Sequence, residues 1–166
     1  MSAVNCTEQL GIRGAWNVRL PHFRFEFTPS NGEEIQSEYL LPREHALAAI
    51  DALRNIGPLI SPILQVSEIR TVASDSLWVS GSYERETVAF HFTWLREQPR
   101  VEDALIPVEE ALAPFQARPH WGKVFLSSAA EIDALYPKIN QFRALARRYD
   151  PDGVFQNEFT RRYLGL

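Results

Sequence analysis

From Glu34 onward the hydrophobic and polar positions follow regular periods. IQSEYLL, residues 35–41, alternates as a strand does. In PREHALAAIDALRNIG, residues 42–57, Ala46, Leu47, Ile50 and Leu53 recur at helical spacing, with Pro42 at the start and Gly57 past the end, as helix termini prefer. LQVSEIRTV (64–72) reads as a second strand and ETVAFHFTWL (86–95) as a third, joined by a polar connection that contains Gly81. Val101, Leu105, Val108, Leu112 and Phe115 then step by four, three, four and three, which predicts an amphipathic helix that Pro107 kinks or delays. RPHWGKVF (118–125) is the fourth strand, although a histidine, a glycine and a lysine sit in its middle.

The order β-α-β-β-α-β is the split βαβ, or ferredoxin-like, arrangement: an α+β fold in which two helices cover one face of a four-stranded antiparallel sheet and leave the other face open. Residues 127–166 have no place in such a unit. SSAAEIDALYPKINQFRALARRYDP reads as a helix, a break at Pro137, and a second helix with Ile139, Phe142, Leu145 and Tyr149 on one side; DGVFQNEFTRRYLGL closes the chain. At the other end, Gly11, Gly14, Pro21 and Pro29 lie among Trp16, Phe23, Phe25 and Phe27, which predicts an irregular opening with a short strand at FRFEF. The expected division is 1–126 for the sheet domain and 127–166 for a C-terminal helical segment.

Composition narrows the class. The 166 residues are 45% hydrophobic and 23% charged, which suits one soluble domain with a real core. A net charge of -4 without a basic face argues against a nucleic-acid surface. The single cysteine, Cys6, excludes an internal disulfide or a cysteine-based zinc site and fits a reducing compartment. The start shows no leader pattern, and no run of about 18 apolar residues occurs. A cytoplasmic chain without a membrane span is expected. His22, His45 and His120 have no companion ligands at metal spacing, and no glycine-rich phosphate loop is present, so no metal site is expected.

Period 2 sorts the side chains of the strands. In the third, Val88, Phe90, Phe92 and Trp94 form an apolar row suited to the helices, which turns His91 and Thr93 to the open face. In the second, Glu68 and Arg70 share a face with Val66 and Val72; in the fourth, Lys123 shares one with Trp121 and Phe125. Adjacent strands in register bring Glu68, Arg70, His91, Thr93 and Lys123 together. Taken singly each has a plain structural reading: a solvated ion pair, a hydrogen-bonded histidine, a good strand residue, a surface lysine. Jointly they are groups that stabilise an alkoxide, accept a proton and bind hydroxyls.

LQVSEIRTV, VAFHFTWL, RPHWGKVF and the terminal DPDGVFQN resemble, in order, the C-terminal part of the alditol oxidases (xylitol or sorbitol oxidases). These belong to the vanillyl-alcohol-oxidase flavoprotein superfamily and are related to the aldonolactone oxidases. The resemblance runs from NCTEQLG to the end of the chain. It implies a substrate domain built on an antiparallel sheet that covers an FAD, with the terminal segment packed on the FAD-binding domain. It implies Arg70 and Lys123 as the basic pair beside the reacting carbinol, with Glu68, His91 and Thr93 around the polyol hydroxyls. A hydride would pass to flavin N5, and O2 would be reduced to H2O2. His91 is the candidate proton acceptor, on the ground that imidazole titrates near neutrality.

The family places its FAD-binding domain, with the covalent flavin attachment, N-terminal to this region. The expectation is therefore a substrate domain standing alone, from a split gene or a shortened one. By itself it would bind no flavin, show no oxidase activity and tend to self-associate through Leu135, Ile139, Phe142, Leu145, Phe155, Phe159 and Tyr163. A ferredoxin-like module that binds small molecules or protein without chemistry is the other class of reading.

Overall fold

The computed structural model describes residues 7–8, 11–20 and 33–166. The chain divides into two compact units, Met1–Glu34 and Ile35–Leu166. In the first, Trp16–Arg19 form a single helical turn, α1, and the Arg19 guanidinium donates to the Arg13 carbonyl at 2.8 Å and pairs with Glu8 at 3.4 Å. The strand expected at FRFEF lies outside the described residues.

The second unit carries the sheet. Its elements are β1 (Glu34–Pro42), α2 (Ala46–Asn55), α3 (Gly57–Ile60), β2 (Leu64–Val72), β3 (Thr87–Leu95), α4 (Gln98–Leu112), β4 (Arg118–Pro119), α5 (Ala129–Leu135), α6 (Ile139–Tyr149) and α7 (Glu158–Leu164). Strand order is β2-β3-β1-β4, and both outer pairs are antiparallel. The α+β, ferredoxin-like arrangement read from the sequence is the one observed.

The core forms where the apolar rows meet. Tyr39 and Leu41 of β1, with Val88, Phe90, Phe92 and Trp94 of β3, pack against Val101, Ala104, Leu105, Val108 and Leu112 of α4. Phe92 and Trp94 stack at 5.4 Å, and Trp94 donates its indole N–H to Ser37 Oγ at 3.1 Å, so the core's largest ring keeps no unpaired polar group. α4 runs through Pro107, and the predicted kink does not divide it. On α2 the buried stripe is Ala46, Ala49, Ile50 and Leu53. Leu47, expected on that stripe, is 78% exposed, because at about 100° per residue it stands more than a third of a turn from the line that Ala46 and Ala49 define.

Two further features depart from expectation. The fourth strand is not continuous: regular pairing stops after Pro119, and residues 121–123 form a turn. The face away from the helices is also not wholly open. Gly81 of the β2–β3 connection lies so close to Leu40 that a Cβ there would come within 3.0 Å of Leu40 Cδ2, which places that connection over β1.

The C-terminal helices belong to the same unit as the sheet. A second cluster of Ile132, Tyr136, Ile139 and Tyr163 packs with Trp121 and Phe125, and Phe125 also lies against the main core. Capping boxes, Ser128 with Glu131 and Asn157 with Thr160, start α5 and α7. The core assignment predicts that Leu105→Ala lowers unfolding free energy by about 2–5 kcal/mol. Leu47→Ala is expected to change it by less than about 0.5 kcal/mol, both read from urea denaturation.

Candidate active site

β3 sets the geometry. Its alternation sends Phe90, Phe92 and Trp94 into the core and turns His91 and Thr93 to the opposite face. In the β2–β3 register Glu68 lies opposite His91, and Arg70 lies opposite Ala89. Directly opposed residues share a face, so both charged side chains reach the side that His91 occupies.

Lys123 arrives by another route. The His120 N–H donates to the Glu38 carbonyl at 2.9 Å, and the Val124 N–H donates to the Gln36 carbonyl at 2.9 Å, so β1 remains the partner on either side of the interruption. Between them the Lys123 N–H closes a turn on the His120 carbonyl at 3.1 Å. The extra residues break the ladder and re-aim a side chain, as bulges do beside functional sites. Strand parity had grouped Lys123 with Trp121 and Phe125. The turn separates them: Trp121 and Phe125 join the C-terminal cluster, and Lys123 bends to the sheet.

Three of the five side chains singled out from the sequence, Arg70, His91 and Lys123, meet on a sixth, Glu38 of β1, while Glu68 joins them through Arg70 and Thr93 through His91. Glu38 is 7% exposed. Its carboxylate accepts from Lys123 Nζ, from Arg70 at 3.4 and 3.5 Å, and lies 3.2 Å from His91 Nδ1. Arg70 also pairs with Glu68, and both of those side chains are partly open to solvent. Lys123 Nζ lies 2.8 Å from His91 Nδ1, and His91 Nε2 lies 3.2 Å from Thr93 Oγ1. His91 itself is 4% exposed. The solvated Glu68–Arg70 pair is thus one end of a network that continues into the sheet.

Burial pushes the Glu38 carboxyl up. The close contact with His91 and the hydrogen bond from Lys123, with the charges of Lys123 and Arg70, outweigh that effect and hold it at about 2. Sequence reasoning missed Glu38, because in IQSEYLL it looks like any solvent-facing position of an alternating strand. The signal would have been the strand order: in a central strand, a carboxylate on the face away from the helices has neighbours on both sides. Among the described residues no group of histidine, cysteine, aspartate and glutamate is placed to hold a metal ion, and no helix is long and apolar enough to cross a membrane.

Fold and site together define a ferredoxin-like domain that carries a charge-balanced polar cluster on the sheet face away from its helices. The chain belongs to the D-arabinono-1,4-lactone oxidase family, which matches residues 28–163. It is 55% identical to an alditol oxidase from Streptomyces sp. over 164 residues, 99% of this chain and 40% of that protein. It is 36% identical to an L-gulono-1,4-lactone dehydrogenase from Mycobacterium tuberculosis, over 78% of this chain and 30% of that protein. An L-gulonolactone oxidase from Bos taurus is 25% identical over 86% of this chain. The chain therefore spans well under half the length of these relatives.

Because the folded-state pKa of Glu38 lies below its unfolded value, its contribution to stability is present above pH 4.5 and is lost as pH falls toward about 2. Glu38→Gln leaves the Lys123 and Arg70 cations without their buried anion and is expected to lower stability at neutral pH by about 3–5 kcal/mol. The gap between the two proteins should close as the pH falls through that window. Urea denaturation across the range checks both the sign and the window.

Proposed function

We propose that this chain supplies the substrate-binding portion of an FAD-dependent alditol oxidase, which oxidises a terminal carbinol of a polyol. The observation that carries the reading is the convergence of Arg70 and Lys123 on one buried carboxylate. The 55% identity to a protein named alditol oxidase supports it.

The donor set suits a site that faces a flavin. Two cations and a hydroxyl sit on one face, and one of the two balancing carboxylates, Glu38, is buried behind them, so the outward side is prepared to receive negative charge. When bound, FAD supplies the hydride acceptor and the reduction of O2 to H2O2. No residue of this chain is assigned to holding the flavin; that belongs to an FAD-binding domain supplied in cis or in trans.

In this reading Lys123 and Arg70 stabilise the alkoxide that forms on the carbinol oxygen as its proton passes by way of the half-open Glu68 to solvent, and the hydride then leaves from that alkoxide. Preorganised donors at such a position contribute about 3–4 kcal/mol each. Glu68, half open to solvent, accepts from polyol hydroxyls, and Thr93 holds another. His91 is reached from the substrate side by way of the Thr93 hydroxyl, since Nδ1 already faces Glu38 and Lys123.

The test is a graft in which this chain replaces the matching 40% of the Streptomyces alditol oxidase. The graft should reduce its flavin with xylitol or sorbitol. Arg70→Ala or Lys123→Ala should each slow that reduction by about 10²–10³ with the fold intact. A folded, flavin-loaded graft that no polyol reduces would refute the reading.

The C-terminal segment supports a second expectation. Ile139 and Tyr163 are buried in its own cluster, but Leu145, Tyr149, Val154 and Phe155 stay exposed, Phe155 at 82%. In the proposed enzyme the FAD-binding domain covers this patch. Without that cover the chain should self-associate, and Phe155→Ser should raise the monomer fraction measured by sedimentation.

A further inference from the structure

The contacts around Glu38 determine where the protons of the site reside. Glu38 Oε2, Lys123 Nζ and His91 Nδ1 form a triangle: Nζ touches both other atoms, at 2.8 Å from Nδ1, while Nδ1 and Oε2 are 3.2 Å apart. Nδ1 has one in-plane position, which holds either a hydrogen or a lone pair. It therefore donates to Glu38 or accepts from Lys123, and cannot do both. The ammonium group decides between them. Nζ is the nearer partner, 2.8 Å from Nδ1 against 3.2 Å for Oε2, so a hydrogen on Nδ1 would be crowded by the ammonium's hydrogens and positive charge, whereas a lone pair takes one of its three hydrogens.

Lys123 keeps that position because the buried carboxylate of Glu38 takes another of its hydrogens. The charged or titratable groups around the ring are Glu38 from β1, Glu68 and Arg70 from β2, and Lys123 and His120 from the turn after β4. Of these, Lys123 and Glu38 touch Nδ1. With Nδ1 occupied as an acceptor, the proton of the neutral ring is on Nε2, facing Thr93 Oγ1 at 3.2 Å. The Thr93 hydroxyl, accepting from the ring, keeps its own hydrogen to give outward.

We infer that Glu38 is a positioning residue which, through Lys123, fixes His91 as its Nε2–H tautomer and orders a one-way row of hydrogen bonds from Lys123 to His91 to Thr93 that ends in an outward donor. The functional consequence rests on the proposed oxidase reading. Thr93 then joins Arg70 and Lys123 as a donor to substrate oxygen, and His91 in the resting site is not free to take the carbinol proton. The tautomer itself rests on the geometry alone.

The experiment needs neither flavin nor turnover. Two-bond proton–nitrogen correlation spectra of the isotope-labelled chain separate the two ring nitrogens, and His91 is identified by the loss of its signals in His91→Gln. At neutral pH His91 should be the Nε2–H tautomer. Lys123→Met removes the ammonium and keeps the bulk, and should switch the ring to Nδ1–H, donating to Glu38. Glu38→Gln should leave a mixture of tautomers, because Lys123 is no longer held. If Glu38→Gln loses its folded amide spectrum, Lys123→Met decides. An Nδ1–H ring in the unaltered chain, a Lys123→Met ring that stays Nε2–H, or a folded Glu38→Gln ring that stays wholly Nε2–H would overturn the inference. Failure of the graft to oxidise polyols, with the tautomers as expected, would count against the oxidase reading instead.

Discussion

A negative charge buried in the middle of a sheet organises the rest of this structure. Removing a carboxylate from water is unfavourable by several kcal/mol unless cations and hydrogen-bond donors replace its hydration. Glu38 finds them on two other backbone segments, Arg70 from β2 and Lys123 from the turn after β4, with the His91 ring of β3 packed against both the carboxylate and the ammonium. Each arrival imposes a constraint. The β2–β3 register must bring Arg70 opposite Ala89, beside the ring, and β4 must surrender regular pairing so that Lys123 bends back over β1. Buried ion pairs of this kind add little net stability compared with apolar packing. What this one fixes is geometry.

That turn is held from its other side. Trp121 donates its indole N–H to the Val79 carbonyl at 2.8 Å, and the buried Arg118 donates to the Leu135 carbonyl at 2.9 Å and to the Tyr83 carbonyl at 3.3 Å. The Arg118 guanidinium also lies 5.2 Å from the centre of the Tyr136 ring. One arginine thus joins β4, the β2–β3 connection and α5. The C-terminal helices are therefore more than an appendage to the sheet: they clamp the segment from which Lys123 projects.

The legible parts of this fold were those governed by local period. VAFHFTWL shows both of its faces in its own alternation, and β2 could be matched to it because opposed residues share parity. Errors arose where a residue's environment is set by something other than its neighbours in sequence. Leu47 looked like a core residue because the true stripe of α2 is marked by two alanines, which carry a weak hydrophobic signal. Lys123 lies beside His91 and Glu38 for a reason that strand parity does not contain, since the segment expected to carry it as a strand is a turn. Glu38 is invisible to local pattern, because its burial follows from β1 being central, a property of topology that the alternation of IQSEYLL does not encode.

The placement of charges also bears on the proposed chemistry. A cation that is to stabilise a fleeting negative charge is effective only if it is already oriented and poorly hydrated before the charge appears. A lone lysine on an open sheet face meets neither condition, because water solvates it and its four-carbon stem wanders. Glu38 supplies both from behind: it holds Lys123 at one position and turns its remaining donor capacity outward, while Glu68 balances Arg70 at the rim. The two carboxylates and two cations cancel, so the resting site carries no net charge from these four groups. A negative charge that develops beyond Lys123 and Arg70 meets their hydrogens first and the balancing carboxylate of Glu38 only at greater distance, and the gain comes from that difference in distance.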